Sequence, residues 1–463
     1  MRGFFAPVAA AMVILGSLHA WAAADVSSAS ARPSPDWLRA GTIYEIFPRD
    51  FSSAGNLNGI TAKLDELHKL GVNILWTMPI HPIGEKMRKG EYGSPYSIRD
   101  YYAIDPHYGT MEDFKKLVAG AHQRGMKVIM DVVPNHTAWD SVMMTNKSFY
   151  KQNAAGQVIS PDPGWTDVAG LNYTNNAALR EYMIAMLKYW IKIADVDGFR
   201  CDVAWGVPVD FWEQARVELE KIKPDIMLLA EADIPGYLVK AFDLDYSWKL
   251  LWAMNDVLSH NAPATKIKSS WAESRAQYPK GALHLRISDD HDETRAIERY
   301  GMNGALAASA LMFTLDGVPL LYNGMEVGDA TESADPVLFD KMNICWHPHQ
   351  SERPQFRGIY HDLIQLRRQN AALRSDNVQW LGNTSEAALL TYLRADDKDE
   401  FLVAINFSNR PLEGKIELKD AAGFAPVKIS GLQSSDNGAL PSVHLNGFEW
   451  RIYHRAANSM AAK

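Results

Sequence analysis

The sequence predicts an α/β protein built on a (β/α)8 TIM barrel, with a short inserted segment after strand 3 and a C-terminal antiparallel β-sandwich. Between residues 41 and 324, short apolar runs alternate with amphipathic stretches, which is typical of parallel strands covered on both faces. Polar or charged residues follow several of these runs directly. In barrel enzymes the functional residues follow several different strands, whereas in an open doubly wound sheet they lie at one switch point in the strand order. The distribution therefore favours the closed barrel.

The predicted barrel strands are short, largely apolar runs with helical patterns between them. The runs cover residues 43–47, 73–76, 128–131, 198–202, 227–231, 283–287 and 318–322, with 241–244 as a weaker eighth candidate. Apolar residues recur at helical spacing over 60–70, 111–124 and 177–193. Glycine follows the first two of these patterns, as is common at helix ends. Strand–helix alternation of this kind indicates an α/β fold.

The chain divides into four regions. Residues 1–24 resemble a signal peptide, because Arg2 precedes a short apolar stretch and small residues. We therefore expect a secreted or periplasmic protein with no membrane contact after signal cleavage. The barrel is expected over residues 33–374, with the inserted segment at 137–171. The β-sandwich is expected over residues 375–457, where short strand-like runs are separated by Gly, Asp and Asn turns without helical patterns.

The net charge limits the classes of partner that the chain can bind, and the cysteine content bears on disulfide formation. The net charge is -8 and the isoelectric point is near 6.0, so we expect neither a nucleic-acid partner nor a polybasic membrane contact. The cysteines are Cys201 and Cys345. Cys201 lies in an apolar, strand-like run, where a buried free thiol is a simpler expectation than a disulfide.

Three carboxylates, those of Asp202, Glu231 and Asp292, stand at the ends of predicted strands. Cleaving a glycosidic bond takes one carboxylate at the anomeric carbon and one carboxylic acid that protonates the leaving oxygen. Glu231 follows an apolar run, so desolvation is expected to raise its pKa, as a general acid requires. Arg200 lies two residues before Asp202, on the same face of a strand, and is expected to keep that carboxylate ionised as a nucleophile. An ordinary ion pair explains any one of these residues, but three at successive strand ends indicate catalysis.

Two histidines near the strand ends are candidate sugar-binding groups. His136 and His291 are expected to be neutral and to form hydrogen bonds with hydroxyl groups. For each histidine alone, a structural role is the more common explanation. His291, however, stands between Asp290 and Asp292 directly after an apolar run, which is a costly arrangement unless it is used.

Four short motifs resemble the signatures of the α-amylase family of glycoside hydrolases. The motifs are Asp131-Val132-Val133-Pro134-Asn135-His136, Gly198-Phe199-Arg200-Cys201-Asp202, Glu231 after its apolar run, and His291-Asp292. They follow the order of the family, at strands three, four, five and seven. Residues 96–105 and 171–173 extend the resemblance, which covers residues 40–372. Four motifs in this order are specific, although any one alone is not.

The resemblance implies a role for each matched residue. Asp202 resembles the nucleophile of a retaining enzyme, Glu231 the general acid/base, and Asp292 the aspartate that stabilises the transition state. The residues that resemble the lining of the sugar site are Tyr96, His136, Arg200 and His291, with Tyr96 as the stacking platform. Retention of configuration implies that the carboxyl groups of Asp202 and Glu231 lie about 5–5.5 Å apart. The implied substrate is an α-glucan or malto-oligosaccharide, and the implied reaction needs no cofactor.

The chain departs from the family pattern at several positions. Asp290 stands where asparagine is more common, and Trp205-Gly206 stands where a Lys-His pair is common. Asn135 alone cannot hold calcium, which takes about six to eight oxygen ligands. Because the inserted segment that supplies further ligands in relatives is short here, no metal site is expected. Val203 resembles the residue found in some relatives that act on α-1,6 bonds.

The leading interpretation is a retaining hydrolase of α-1,4-glucosidic bonds in starch-derived gluco-oligosaccharides. One alternative is an exo-acting α-glucosidase or α-1,6-glucosidase on the same scaffold. Another is a transglycosylase, in which a sugar instead of water resolves the covalent intermediate. A non-catalytic sugar-binding barrel is a further alternative, because fold alone does not establish function.

Overall fold

The computed structural model of the chain describes residues 25–331, 334–346, 355–432 and 439–457. The predicted signal peptide, residues 1–24, lies outside these ranges, so export remains a prediction. Among the helices of the described residues, none has both the length and the apolar composition that a membrane crossing requires.

Strands and helices alternate through the first part of the chain, and strands dominate the last part. The strands are β1 (Ile43–Ile46), β2 (Ile74–Thr77), β3 (Lys127–Val132), β4 (His136–Ala138), β5 (Val168–Gly170), β6 (Gly198–Cys201), β7 (Met227–Ala230), β8 (Leu244–Tyr246), β9 (His284–Arg286), β10 (Val318–Tyr322), β11 (Val378–Trp380), β12 (Leu389–Ala395), β13 (Asp399–Asn406), β14 (Leu412–Lys415), β15 (Ala425–Pro426), β16 (Ser442–Leu445) and β17 (Trp450–Ala456). The helices are α1 (Asp36–Arg39), α2 (Pro48–Phe51), α3 (Leu57–Thr61), α4 (Leu64–Leu70), α5 (Met111–Gln123), α6 (Ala177–Ala194), α7 (Val209–Glu220), α8 (Tyr237–Lys240), α9 (Trp248–His260), α10 (Thr265–Gln277), α11 (Ala296–Thr314), α12 (Asp335–Phe339) and α13 (Phe356–Gln369).

Parallel strands close into a barrel in the order β1-β2-β3-β6-β7-β8-β9-β10. The barrel closes where Ile43 of β1 pairs with Leu320 of β10. The predicted barrel is thereby confirmed. The weaker strand candidate at 241–244 was misplaced, because the strand is Leu244–Tyr246 and the apolar residues before it are buried in the turn after α8.

Local sequence signals explain why the helices begin where they do. Helix α5 begins at a capping box: Thr110 Oγ1 accepts a hydrogen bond from the Asp113 N–H, and the Asp113 carboxylate accepts one from the Thr110 N–H. The buried face of this helix consists of the residues at helical spacing, namely Phe114, Leu117, Val118 and Ala121. Helices of this kind cover the barrel and leave its C-terminal mouth to the loops.

The inserted segment after β3 forms a small antiparallel ribbon at the mouth of the barrel. Strand β4 pairs with β5, with His136 opposite Gly170. The ribbon starts four residues after the end of β3. It therefore places the segment's side chains beside the residues that follow β3 and β6.

The C-terminal region consists of antiparallel sheets, as predicted. A five-stranded sheet has the order β11-β12-β13-β17-β15, and β14 pairs with β16 in a second sheet. A small apolar core lies between the two sheets, formed by Leu389, Leu402, Ala404, Ile416, Val443, Leu445 and Tyr453. The Arg394 guanidinium donates a hydrogen bond to the Thr314 carbonyl at the end of α11, so this region packs on the barrel.

Candidate active site

The C-terminal ends of the barrel strands hold the three predicted catalytic carboxylates. Asp202 directly follows β6 and Glu231 directly follows the neighbouring strand β7. Asp292 lies in the loop between β9 and α11. The side chain of Asp202 is 8% exposed, that of Glu231 16% and that of Asp292 40%. The site thus has two inner carboxylates and one at its rim.

Arg200 of β6 connects the inner carboxylates. Its Nη1 donates to Asp202 Oδ1 at 2.8 Å and to Asp131 Oδ1 at 3.1 Å. Its Nη2 lies 2.9 Å from Glu231 Oε2. The predicted contact between residues two apart on a strand is therefore present. One fully buried cation, however, serves three carboxylates.

The residue after Asp202 has an unusual backbone conformation. Val203 lies in the left-handed region, with φ 45° and ψ 43°, which is strained for a β-branched residue. Its N–H donates to Glu231 Oε2 at 2.7 Å. Because Oε2 receives this hydrogen bond and the Arg200 contact, a proton on the carboxyl group is best carried by Oε1.

Burial raises the pKa of both inner carboxyl groups. Desolvation raises the pKa of Glu231 to about 8, although Arg200 lowers it. Desolvation likewise raises the pKa of Asp202 to about 7, although Arg200 lowers it, and the charge of Asp131 raises it further. This corrects the expectation that Arg200 keeps Asp202 ionised, because the guanidinium is shared and the site is dry. The more acidic group is still Asp202, as a nucleophile paired with a general acid requires.

A continuous hydrogen-bonded chain runs beneath the site through His291. His291 Nδ1 lies 2.5 Å from Glu45 Oε1, and its Nε2 lies 2.7 Å from the Tyr96 hydroxyl and 3.3 Å from Asp292 Oδ2. The Tyr96 hydroxyl donates to Asp131 Oδ2 at 3.1 Å. Burial lowers the pKa of His291, but Asp292 and Glu45 outweigh this and raise it to about 10. The expectation of a neutral His291 was therefore wrong, because Asp292 and Glu45 together outweigh the effect of burial on its pKa.

Tyr96 and His136 lie on the same side of the site. The Tyr96 ring stacks on His291, with centroids 5.3 Å apart, and the residue is 8% exposed. His136 Nε2 lies 4.0 Å from Asp202 Oδ2, and burial lowers the pKa of His136 to about 3, so this histidine is neutral as expected. Trp165 of the inserted segment lies 5.6 Å from the His136 ring. All seven predicted site residues are thus gathered at one mouth, and their roles remain predictions.

Asp290 is buried below the loop that carries Asp292. Its Oδ1 accepts hydrogen bonds from the backbone N–H groups of Asp292 and Glu293, both at 3.1 Å. Burial, followed by the Asp292 charge, raises the pKa of Asp290 well above its ordinary value. Asp290 therefore takes the place of the more common asparagine and supports this loop through its two backbone hydrogen bonds.

Glu45 and Trp76 were not foreseen as part of the site, and Asp131 was foreseen as a strand-end residue of a motif but not given a role. Glu45 holds His291, and Asp131 joins Tyr96 to Arg200. Trp76 donates from its Nε1 to Asp131 Oδ2 at 3.2 Å. Glu45 could have been recognised from the sequence, because it is a charged residue inside the apolar run 43–47 and a buried charge requires a partner.

The residues present do not fit a calcium site. Asn135 Nδ2 lies 3.2 Å from His136 Nδ1, and within the described ranges no three His, Cys, Asp or Glu side chains converge as metal ligands. A hard cation of this kind requires several oxygen ligands. The absence of a metal remains a prediction, which a chelator can test.

The fold and this site together give a barrel whose carboxylates are gathered at the C-terminal ends of its strands, where barrel enzymes carry their active sites. The family model of the alpha amylase catalytic domain matches residues 41–158 and 164–357. The chain therefore belongs to the α-amylase family of glycoside hydrolases, as its motifs predicted.

Individual relatives are similar to the chain at moderate identity. "Alpha-amylase MalA" of Haloarcula japonica is 28% identical over 403 residues, covering 83% of this chain and 58% of that protein. A cyclomaltodextrinase of a Bacillus species is 28% identical over 449 residues, covering 86% and 76%. Among solved structures, the maltogenic alpha-amylase AmyB of Thermotoga neapolitana matches with a TM-score of 0.80 and 29% identity, over 91% of this chain and 100% of that one. The chain thus spans little more than half of the haloarchaeal protein.

Proposed function

We propose that the chain is a retaining glycoside hydrolase that cleaves α-1,4-glucosidic bonds in malto-oligosaccharides through a covalent glycosyl-enzyme. The observation that carries the proposal is the arrangement of Asp202 and Glu231 on either side of the Arg200 guanidinium. Each carboxyl group has one oxygen held by that cation. The other oxygen of each remains for a different task, attack in one case and proton transfer in the other.

Asp202 is the proposed nucleophile. Arg200 holds Oδ1, whereas Oδ2 is buried without a hydrogen-bond partner in the described part of the chain. An unsolvated carboxylate oxygen is reactive because no water must be removed before it attacks. Oδ2 therefore attacks the anomeric carbon and forms the ester, while Oδ1 remains on Arg200.

Glu231 is the proposed general acid and, later, the general base. Its Oε2 is held by the Val203 N–H and by Arg200. Oε1 carries the proton to the leaving glycosidic oxygen and afterwards accepts a proton from the attacking water. A pKa raised to about 8 by burial keeps this group protonated at neutral pH.

The remaining predicted residues are proposed to bind the sugar beside the scissile bond. Asp292 offers an acceptor to ring hydroxyl groups, His291 supports Asp292 through Nε2, and His136 lies close to the attacking oxygen. The Tyr96 ring stacks on His291 beside them. Charged hydrogen bonds that tighten in the transition state stabilise it by several kcal/mol.

The names of the relatives support a glucan substrate, since cyclomaltodextrinase and maltogenic alpha-amylase are among them. We also propose that residues 1–24 direct export to the periplasm or medium. Catalysis by these carboxylates requires neither a cofactor nor a metal ion. Activity that survives dialysis against a chelator is the expected result.

A timed product analysis on maltoheptaose, panose, isomaltose and pullulan tests the proposal. We expect α-anomeric malto-oligosaccharides from maltoheptaose. Cleavage restricted to α-1,6 bonds in panose or isomaltose contradicts the substrate assignment and favours the interpretation suggested by Val203. Binding without cleavage contradicts the catalytic assignment itself.

A further inference from the structure

A cavity of about 550 Å³ lies at the N-terminal end of the barrel, beside the start of β9. Its walls come from the last turns of α10, from the segment that leads into β9 and from β9 itself, with residues 27 and 376 at its edges. The N-terminal segment closes one side, because the Ala31 N–H donates to the Lys280 carbonyl at 2.9 Å. The volume falls within the range of small-molecule sites, about 300–1,000 Å³.

Two basic side chains of β9 line this cavity next to each other. His284 and Arg286 are two residues apart on the strand, so their side chains point to the same side of the sheet. Arg286 is 2% exposed, and its Nε and Nη2 donate to the carbonyl and to Oδ1 of Asp316, both at 2.8 Å. Within the described residues Nη1 has no hydrogen-bond partner. Nη1 is therefore the donor that Arg286 has left for a ligand.

The His284 ring is fixed by a chain of hydrogen bonds behind it. Its Nδ1 lies 2.6 Å from Asp245 Oδ1, and the Tyr278 hydroxyl lies 2.5 Å from Asp245 Oδ2 and 2.7 Å from Asp233 Oδ1. The Tyr278 ring also packs edge-on against the imidazole, with centroids 4.5 Å apart. Because Nδ1 is occupied by Asp245, Nε2 is the ring atom available to a ligand, and the ring is oriented before a ligand binds.

Buried positive charge exceeds buried negative charge beside the cavity. Burial raises the pKa of Asp316, but the charges of Arg286 and Arg394 outweigh it and lower the pKa to about 2. Arg367 and Arg394 are fully buried behind Asp316, and their hydrogen bonds go to backbone carbonyl groups. Burial, followed by the charge of Arg394, lowers the pKa of Arg367 to about 9. Three buried guanidinium groups are thus grouped around one carboxylate, which is costly unless an anion offsets their charge.

The rim of the cavity adds further positive charge. Arg275 and Lys280 line the cavity and are exposed. Arg275 Nη1 donates to the Asp376 carbonyl at 2.9 Å, and its Nη2 lies 3.8 Å from the Asp376 carboxylate. Lys280 has no ion-pair partner in the part of the chain that the structure describes. The acidic residues of the lining, Asp316 and Asp376, are therefore each paired with an arginine, while Lys280 is left over.

We propose that this cavity binds a phosphoryl group, which Arg286 Nη1 and His284 Nε2 hold from the wall and Lys280 approaches from the rim. Guanidinium groups bind phosphate oxygens well because their N–H donors match them in geometry and charge. Both ring nitrogens of a protonated histidine donate, so His284 can bridge Asp245 and the anion. The cavity has room for the body of a small phosphate monoester, with Trp271 in its wall. This inference is independent of the proposed catalytic mechanism.

Isothermal titration calorimetry at pH 7 and low ionic strength tests the proposal, with inorganic phosphate, glucose 6-phosphate and glucose as the probes. The first two share the phosphoryl group, and glucose lacks it. At least one phosphoryl compound is expected to bind with a Kd below about 1 mM. Equal affinity for phosphate and glucose 6-phosphate assigns the site to free phosphate, whereas tighter binding of glucose 6-phosphate assigns it to a monoester.

Three variants locate the bound anion. Arg286→Lys keeps a positive charge beside Asp316 but removes the second arm of the fork, and it is expected to weaken binding about tenfold. Lys280→Ala removes an exposed charge and is expected to weaken binding about threefold. Lys116→Ala is the matched control, because Lys116 is also exposed but lies on α5, outside the cavity. Activity on maltoheptaose should stay near wild type in all three variants.

The proposal is overturned if neither phosphoryl compound binds with a Kd below about 1 mM. It is also overturned if glucose binds as tightly as glucose 6-phosphate, because the sugar and not the phosphoryl group is then recognised. An affinity that is unchanged in both Arg286→Lys and Lys280→Ala places the anion elsewhere and overturns it as well. If Arg286→Lys does not fold, equal affinity in Lys280→Ala and Lys116→Ala decides against the proposal.

Discussion

The two ends of the barrel differ in how buried carboxylates and basic side chains are matched. At the N-terminal end one buried aspartate has several basic partners, whereas at the C-terminal end three carboxylates share a single arginine. Asp197, just before β6, accepts hydrogen bonds from His122 Nε2 at 2.6 Å and from the Val128 N–H at 2.9 Å. Its Oδ1 lies 3.0 Å from the Nζ atoms of both Lys127 and Lys223. At the other end of the same strand, Arg200 alone serves its three carboxylates.

The two arrangements shift the pKa in opposite directions. Burial raises the pKa of Asp197, but the His122 and Val128 hydrogen bonds and Lys223 outweigh it and hold the pKa well below its ordinary value. At the mouth, burial prevails, and the pKa of Glu231 rises to about 8. The paired charges at the N-terminal end therefore stabilise the folded state. The buried carboxyl groups at the mouth destabilise it, and their raised pKa values suit acid–base catalysis.

Replacing Asp202 with Asn should have the largest effect. We expect kcat/KM on maltoheptaose to fall by about 10⁴-fold or more, because the nucleophile is lost. The free energy of unfolding should not fall, since a neutral amide replaces a carboxyl group that burial makes costly to ionise. Steady-state kinetics and thermal denaturation measure both. A variant that is inactive only because it unfolds would contradict this separation.

Replacing Asp197 with Asn should give the reverse result. The free energy of unfolding is expected to fall by about 3 kcal/mol, because the buried ion pairs lose the carboxylate charge and only one of the two acceptor oxygens remains, while kcat stays near wild type. The Asp197 contribution is present above the unfolded pKa of about 3.9 and is lost as pH falls toward the lower folded value. The variant should therefore show a flatter acid limb in urea denaturation.

The matched control for Asp197→Asn is Asp225→Asn. Asp225 has a side chain that is 52% exposed and lies 4.0 Å from the same Lys127. Its replacement should change stability by no more than about 0.5 kcal/mol. Equal losses in the two variants would show that burial is not what distinguishes the N-terminal end.

The pH dependence of kcat/KM should be a narrow bell. Activity requires ionised Asp202, with a pKa of about 7, and protonated Glu231, with a pKa of about 8. The rate should therefore fall below about pH 7 and above about pH 8, by about tenfold per unit. In Glu231→Gln, initial fluoride release from maltosyl fluoride should lose the alkaline limb only. If the alkaline limb persists in this variant, the loss of activity at high pH reflects the titration of a group other than Glu231.

Replacing Glu45 with Gln should have an intermediate effect. The His291 pKa should drop, because the Glu45 carboxylate helps to raise it, and kcat/KM is expected to fall by about 10–100-fold as the ring shifts. NMR titration of the imidazole measures the first change. Glu326→Gln is the control, since Glu326 is equally buried but contacts the Tyr44 hydroxyl. Equal losses of activity in both variants would rule out a specific link through His291.

Replacing Asp290 with Asn should have the smallest effect. The amide oxygen can accept the same two backbone hydrogen bonds, so activity should stay within about twofold. The raised pKa of Asp290 means that the unfolded chain releases a proton that the folded chain keeps. The variant should therefore be slightly more stable at pH 8, with the difference vanishing near pH 3. A large loss of activity would give Asp290 a catalytic role.

The order of the strands and the position of the site could be predicted, because hydrophobic runs and the polar residues after them are local signals. The pairing of Arg200 with Asp202 also followed from strand geometry. Strand β8 was misplaced because buried Asp245, held by His284 and Tyr278, interrupts its apolar pattern. Such a residue is recognisable only when its partners are known.

The charge state of the site could not be predicted from sequence. The pKa of His291 is raised to about 10 by Asp292 and then by Glu45, which lies 246 positions away in the chain but 2.5 Å away in space. The pKa of Asp202 rises because the carboxyl group is buried and because Asp131, on a different strand, adds its charge and shares Arg200. Both effects depend on how many groups share one partner, and only the folded barrel brings those groups together.

The most direct test of the account is to trap the glycosyl-enzyme. A slow-turnover maltosyl fluoride, fluorinated on the sugar ring, is incubated with wild type and with Asp202→Asn, followed by digestion and mass spectrometry. The account predicts one maltosyl adduct on the peptide that contains Asp202, and none in the variant. An adduct on another carboxylate, or inverted products without any adduct, would contradict it.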